Sequence, residues 1–252
     1  GMICGFSSTE SRKELNGKYY DIYLDPLYEI LNDDFAVFEW PSEGGRRRKY
    51  KGGVYSKIYV PMRITLYKKI FWNILFYKIT KRKRFKIVSE KILLQIVDVI
   101  SAKSKIEKII LEKKVYEFLT IFYYIKQFLY SILIKIEPKA VLMRCGYGRF
   151  PMALSQACRQ LHIPSIELQH GLITSHSSTY KKATSSNNKD CIPEYLLTHG
   201  EVYTEIVKNG NLFDKEKVIT IGHPYLENSL KKDADELFKK SISAFKYNIL
   251  VT

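Results

Sequence analysis

Ala140-Val-Leu-Met-Arg-Cys145, Gly146-Tyr-Gly-Arg149, Pro151-Met-Ala-Leu-Ser-Gln-Ala-Cys-Arg-Gln-Leu161 and Pro164-Ser-Ile-Glu-Leu-Gln-His-Gly171 follow one another along the chain. They read as strand, glycine turn, helix and strand. After a polar loop, Glu194-Tyr-Leu-Leu-Thr-His-Gly200 reads as a third strand, Val202 to Asn209 as a helix, and Val218-Ile-Thr-Ile-Gly-His-Pro224 as a fourth strand. Strands alternating with helices of about ten residues predict βα units and a parallel sheet. Both faces of such a sheet are covered, so its strands read as apolar runs. Ligands of open parallel sheets sit beyond the carboxyl ends of the strands. His170, His199 and His223 fall at those ends, each beside a glycine.

The 252 residues suffice for a core without staples, as one large domain or two small ones. With 46% hydrophobic and 27% charged residues the chain is globular in composition. The net charge of +15 favours an anionic partner: nucleic acid, an acidic membrane or a phosphorylated substrate. The cysteines Cys4, Cys145, Cys158 and Cys191 form no CxxC and no ligand spacing, so reduced thiols in a cytoplasmic protein are expected, with no metal and no cofactor. Phe118 to Ile136 is the one candidate membrane span, but Lys126 and Lys135 interrupt it, and a helix on the core is expected instead.

Before the sheet motif, Met2 to Phe6 and Ala36 to Trp40 read as strands, with a short helix at Leu27 to Leu31. Ser7 to Lys18 reads as a polar turn. Gly44-Gly-Arg-Arg-Arg-Lys-Tyr-Lys-Gly-Gly53 carries five cations in six residues between glycine pairs. It is either a solvated loop or an anion contact through Arg46, Arg47 and Arg48, with glycines letting backbone amides approach. Residues 64–79 have apolar residues at helical spacing and aromatics beside them, and Lys81-Arg-Lys-Arg84 follows. An aromatic helix beside Lys81, Arg82, Lys83 and Arg84 suits a membrane surface or an ordinary domain surface. Nucleic acid is not expected, because no recognition motif accompanies the charge. Helices are expected at 87–100 and 106–136, making 64–136 a helical basic insertion. Thr174 to Lys189 is a long aperiodic loop where substrate would lie.

Among single residues, His170 is the candidate base, since a neutral imidazole near pH 7 can take a hydroxyl proton. Strand alternation places Glu167 on the opposite face, so a direct partnership is not expected. Gln169, Gly171, His176, His199 and His223 are candidate substrate contacts. Arg149, at a helix start after Gly146-Tyr-Gly148, is a candidate anion contact. The third glycine of a dinucleotide fingerprint is missing. There is no Gly-x-Ser-x-Gly elbow, no P-loop and no His-Glu-x-x-His.

At Glu167-Leu-Gln-His-Gly171, Tyr195-Leu-Leu-Thr-His-Gly200 and Val218-Ile-Thr-Ile-Gly-His-Pro224 the chain resembles the N-terminal domain of GT-B glycosyltransferase-like proteins, including bacterial capsule and surface-polysaccharide enzymes and the glycerophosphotransferases of teichoic acid synthesis. The resemblance covers about residues 140–225. It implies an α/β, Rossmann-like parallel sheet with helices on both faces, forming the acceptor side of a two-domain enzyme. It also implies a nucleotide-sugar donor held by a C-terminal domain, a glycan or lipid-linked acceptor, and His170 as the base. Residues 1–225 are then the acceptor-side domain. Residues 226–252 are a linker and the first strand of a donor domain that this chain lacks, so the chain alone is expected to be inactive. The site of action would be the cytoplasm or the inner face of the plasma membrane. Two other readings stay open: a sugar-nucleotide epimerase of the same fold, and a non-catalytic module for anionic glycans or membranes.

Overall fold

The structure is a computed structural model that describes residues 1–8, 11–15, 18–31, 34–40, 68, 70–72, 74–75, 79, 90–104, 106–181, 189–230 and 243. Six parallel strands form one sheet. In chain order they are β1 (Ile3–Ser8), β4 (Phe35–Trp40), β5 (Ala140–Met143), β6 (Ser165–Leu168), β7 (Tyr195–Thr198) and β8 (Val218–Thr220). Their spatial order is β4-β1-β5-β6-β7-β8, so the chain steps one way from β1 to β4 and the other way from β5 onward. That reversal defines a doubly wound, Rossmann-like α/β fold.

Alternation along the strands sorts the core into two layers. On one face Cys4, Phe6, Ala36, Phe38, Val141 and Met143 meet α3 (Lys108–Ile136) and α4 (Arg149–Gln160). On the other, Ile3, Phe35, Val37 and Leu142 meet Leu24 and Tyr28 at α1 (Asp25–Leu31). Ala153 and Ala157 of α4 are wholly buried, and their small side chains allow close helix approach. The chain turns out of α4 through His162, whose φ of 56° is left-handed. Ile163 N–H then bonds Cys158 O at 2.9 Å and His162 N–H bonds Arg159 O at 3.2 Å, closing a Schellman motif.

The helical stretch before β5 contains α2 (Glu90–Lys103) and α3, so the first helix ends three residues later and the second begins two residues later than the expected bounds of 100 and 106. α3 is long and apolar enough to cross a membrane by length and composition. Its carboxyl half instead buries Ile125, Leu129 and Leu133 against the sheet layer, and α4 packs on it. A parallel connection from β4 to β5 needs such a crossover, so the helical segment supplies the cover of this face. The expected helix at 64–79 and the last strand at 247–252 lie mainly or wholly outside the described residues.

Ser7 to Lys18 differs from the polar turn that composition suggested. β2 (Arg12–Leu15) and β3 (Lys18–Asp21) pair as an antiparallel hairpin. Its anchor is the buried Asp21 carboxylate. This accepts Ser11 Oγ at 2.7 Å, the Ser7 hydroxyl, and the Tyr23 and Leu24 N–H groups at 3.0 and 3.2 Å. Polar strands lack apolar alternation, so their period was invisible in the sequence.

Candidate functional site

The carboxyl rim of β6, β7 and β8 carries the three histidines singled out by the sequence. β6 ends at Leu168; Gln169 N–H still bonds Leu197 O of β7 at 2.9 Å, but His170 lies past the ladder, where strand alternation no longer governs it. The His170 ring turns back, and its Nδ1 lies 4.0 Å from Glu167 Oε1. The expected separation of Glu167 from His170 is therefore wrong. Tyr180, from the short α5 (Ser178–Lys181), donates its hydroxyl to Glu167 Oε1 at 2.8 Å and lies 3.5 Å from His170 Nδ1. Tyr147 Oη sits 3.0 Å from His170 Nε2.

These contacts favour one tautomer of His170. Tyr180 donates to the carboxylate, so its oxygen is left to accept from Nδ1–H. Nε2 then offers its lone pair to the Tyr147 hydroxyl. Glu167 is 1% exposed, and burial pushes its carboxyl up to about 7, against the opposing effects of the Tyr180 and Gly146 hydrogen bonds. Burial and Glu167 together also push the Tyr180 phenol far up, so it stays a neutral donor.

The Gly146-Tyr-Gly148 turn is shaped for this cluster. A Cβ at Gly146 would collide with the Glu167 carboxylate and the Pro193 ring, so only glycine fits there. Gly148 has a φ of 96° and precedes α4. The turn holds Tyr147 over His170, with ring centroids 5.6 Å apart, and brings Cys145 beside Glu167. Arg149 opens α4 and is exposed.

His199 and His223 form the second part of the rim, their ring centroids 4.2 Å apart. Past α6 (Glu201–Lys208), His223 caps α7 (Pro224–Leu230). Its Nδ1 accepts Leu226 N–H at 3.4 Å, and its own N–H donates to Glu227 Oε1 at 3.1 Å. Pro224 at the first helical position suits this cap. Burial lowers the pKa of both imidazoles, and the neighbouring His223 helps to bring His199 down to about 4. Both rings are therefore neutral at pH 7. A neutral imidazole offers one donor and one acceptor, which suits a hydroxyl better than a phosphate.

The two rings line a shallow cleft with Tyr23, Leu168, Gln169, Leu197 and Gly222. His170 does not share this cleft. Its ring turns toward Tyr147 and Tyr180, while its carbonyl accepts the Tyr23 hydroxyl at 2.8 Å. Gln169 joins the two parts: its Nε2 donates to Gly171 O at 2.7 Å and its Oε1 accepts His199 N–H at 2.8 Å. His176 stands exposed on the turn beyond, where its N–H donates to Thr174 Oγ1 at 3.3 Å. Arg46, Arg47, Arg48, Lys81, Arg82, Lys83 and Arg84 lie outside the described residues.

Tyr23, Cys145, Tyr147 and Tyr180 were not singled out by the sequence. Tyr147 alone carried a signal, sitting inside the glycine turn. Tyr23 and Tyr180 reach the rim from other elements, which the motif spacing does not encode.

Fold and rim define the chain as a Rossmann-like α/β unit with paired histidine environments at its strand ends. No family model matches the sequence, and no curated protein matches it. Among solved structures, the chain is similar to the UDP-GlcNAc 2-epimerase of Neisseria meningitidis bound to UDP-GlcNAc. The TM-score is 0.43 at 14% identity, over 96% of this chain and 52% of that one. It is also similar to the UDP-N-acetylglucosamine 2-epimerase of Rickettsia bellii, with a TM-score of 0.41 at 11% identity, over 95% of this chain and 50% of that one. The chain spans about half the length of these structures.

Proposed function

We propose that this chain is the acceptor-side half of a glycosyltransferase-like enzyme of bacterial cell-surface polysaccharide synthesis. His170 is the base that prepares an acceptor hydroxyl. The observation that carries the reading is a hydroxyl oxygen 3.0 Å from His170 Nε2, with Glu167 and Tyr180 at the other ring nitrogen. An imidazole oriented from behind by a carboxylate is a suitable general base.

In the reaction, an acceptor hydroxyl takes the place of Tyr147 Oη at Nε2. Its proton passes to Nε2 as the oxygen bonds the donor's reacting centre. The bond from that centre to the nucleotide phosphate breaks, and the nucleotide leaves with the electron pair. Glu167 then sits near the imidazolium. The neutral pair His199 and His223, with Tyr23, hydrogen-bonds hydroxyls of the glycan or lipid-linked acceptor, and Gln169 holds the backbone beneath them. The nucleotide-sugar donor is held by a second, C-terminal domain. By charge alone, Arg46 to Arg48 and Lys81 to Arg84 supply contacts to an anionic membrane.

The test uses the natural full-length protein and a panel of labelled nucleotide sugars, with and without membrane-derived acceptors. Transfer that His170→Ala abolishes while the melting temperature holds supports the reading. Normal turnover by His170→Ala removes the base. Conversion of a UDP-sugar to its epimer without acceptor makes the protein an epimerase, and liposome binding without any turnover makes it a binding module.

A further inference from the structure

The Gly146 turn and the end of β6 bring together three side chains of different ligand type. Cys145 Sγ, a Glu167 carboxylate oxygen and a His170 ring nitrogen all lie within 4.8 Å of one another. We propose that Cys145, Glu167 and His170 form a binding site for a thiophilic divalent cation, zinc fitting best. Zinc bonds of about 2.0–2.3 Å to nitrogen, oxygen and sulfur put tetrahedral ligand atoms about 3.3–3.8 Å apart. Glu167 Oε1 and His170 Nδ1 stand at 4.0 Å and no pair of the three exceeds 4.8 Å, so closing the set takes shifts of about 1 Å or less per pair.

The mixed donors select the ion. A thiolate with an imidazole favours zinc, whereas magnesium and calcium take oxygen ligands. Three protein ligands leave a fourth position, filled by water on the part-exposed side where Tyr147 stands. The outer shell is already in place: Tyr180 donates to Glu167 Oε1 at 2.8 Å, and Gly146 N–H also bonds that carboxylate. Such bonds orient ligating carboxylates. On binding, the Cys145 S–H bond breaks, its proton goes to the buffer, and the sulfur electron pair bonds the metal. No redox change occurs.

The site goes beyond the transferase reading and does not need it. It does bear on it, because a metal on Nδ1 moves the ring proton to Nε2 and removes the lone pair that the acceptor requires.

Cobalt(II) is the probe, since its absorption reports sulfur ligation. Titrating the chain with Co2+ should give a one-to-one complex with a thiolate-to-cobalt charge-transfer band, displaced by Zn2+ and not by Mg2+. Cys145→Ser should abolish the band, and Cys191→Ser should keep it. His170→Ala, at a part-exposed position, should weaken Co2+ affinity by about 100-fold or more, beyond the usual loss for an outer-shell partner. Absence of the band in the unmodified chain overturns the proposal. So does a band that survives Cys145→Ser or disappears in Cys191→Ser, or unchanged affinity in His170→Ala. Circular dichroism of each variant separates loss of ligand from loss of fold, and none of these readouts requires a transfer assay.

Discussion

His170 and the His199–His223 pair stand on one rim, each at a strand end and each beside a glycine, yet their surroundings differ in kind. His170 has a buried carboxyl group and two phenols around it, so each of its ring nitrogens faces an oxygen partner. The pair has each other, a helix cap and burial, and both rings are held neutral. The same local sequence pattern therefore yields a candidate proton acceptor in one place and a hydrogen-bonding wall in the other. What decides between them is the side chain behind the ring.

The comparison breaks first if activity does not separate the two sites. In the transfer assay, His170→Ala should lower kcat/KM by roughly 10²–10⁴, the usual worth of a general base. His199→Asn should lower it by only about 2–12-fold, mainly through KM, the worth of one neutral hydrogen bond. Equal losses would erase the distinction.

The next effect is on folding. Gly146→Ala pushes a methyl into the Glu167 carboxylate and Pro193, and should cost about 1–3 kcal/mol in urea unfolding. No comparable loss is expected at Gly171, where a Cβ would meet open space. Tyr180→Phe removes one of two donors to Glu167 and should cost about 1–2 kcal/mol. It should also slow transfer without changing the apparent affinity for acceptor, since it leaves the His199 side intact.

The smallest effect concerns pH. The unfolded His199 imidazole takes up a proton near its ordinary value of 6.5, but the folded one does so only near 4, through burial and the facing His223, with His170 adding to it. Between these values the unfolded chain binds more protons, so the stability contribution present above pH 6.5 is lost as pH falls through 4. His199→Asn should flatten this loss, read as a smaller drop in urea midpoint from pH 7 to pH 5. An unchanged slope would mean that the ring is as accessible folded as unfolded.

The fold was legible where chemistry repeats. Val141 to Met143, Leu196 and Leu197, and Val218 are apolar because both sheet faces are covered, and their alternation with helices pointed to a parallel sheet from the sequence. The hairpin at Arg12 to Asp21 was missed because its strands are charged and its anchor, Asp21, acts through hydroxyls and backbone N–H groups. Asn16-Gly17 between the strands was the available signal. At the rim, the histidines could be found from strand ends alone. Their partners could not, because Tyr180 and Tyr23 arrive by tertiary packing, and because Glu167 meets His170 only where the ladder stops.

Gln169 has a consequence of its own. Its side chain grips the carbonyl of the outgoing loop with one end and the amide of the adjacent strand with the other. Glutamate offers no proton for the first grip, and asparagine is one methylene short of spanning both. Any displacement of the segment after Gly171 must either snap one grip or drag the end of β7 with it, so the two imidazole neighbourhoods are mechanically keyed through a single amide.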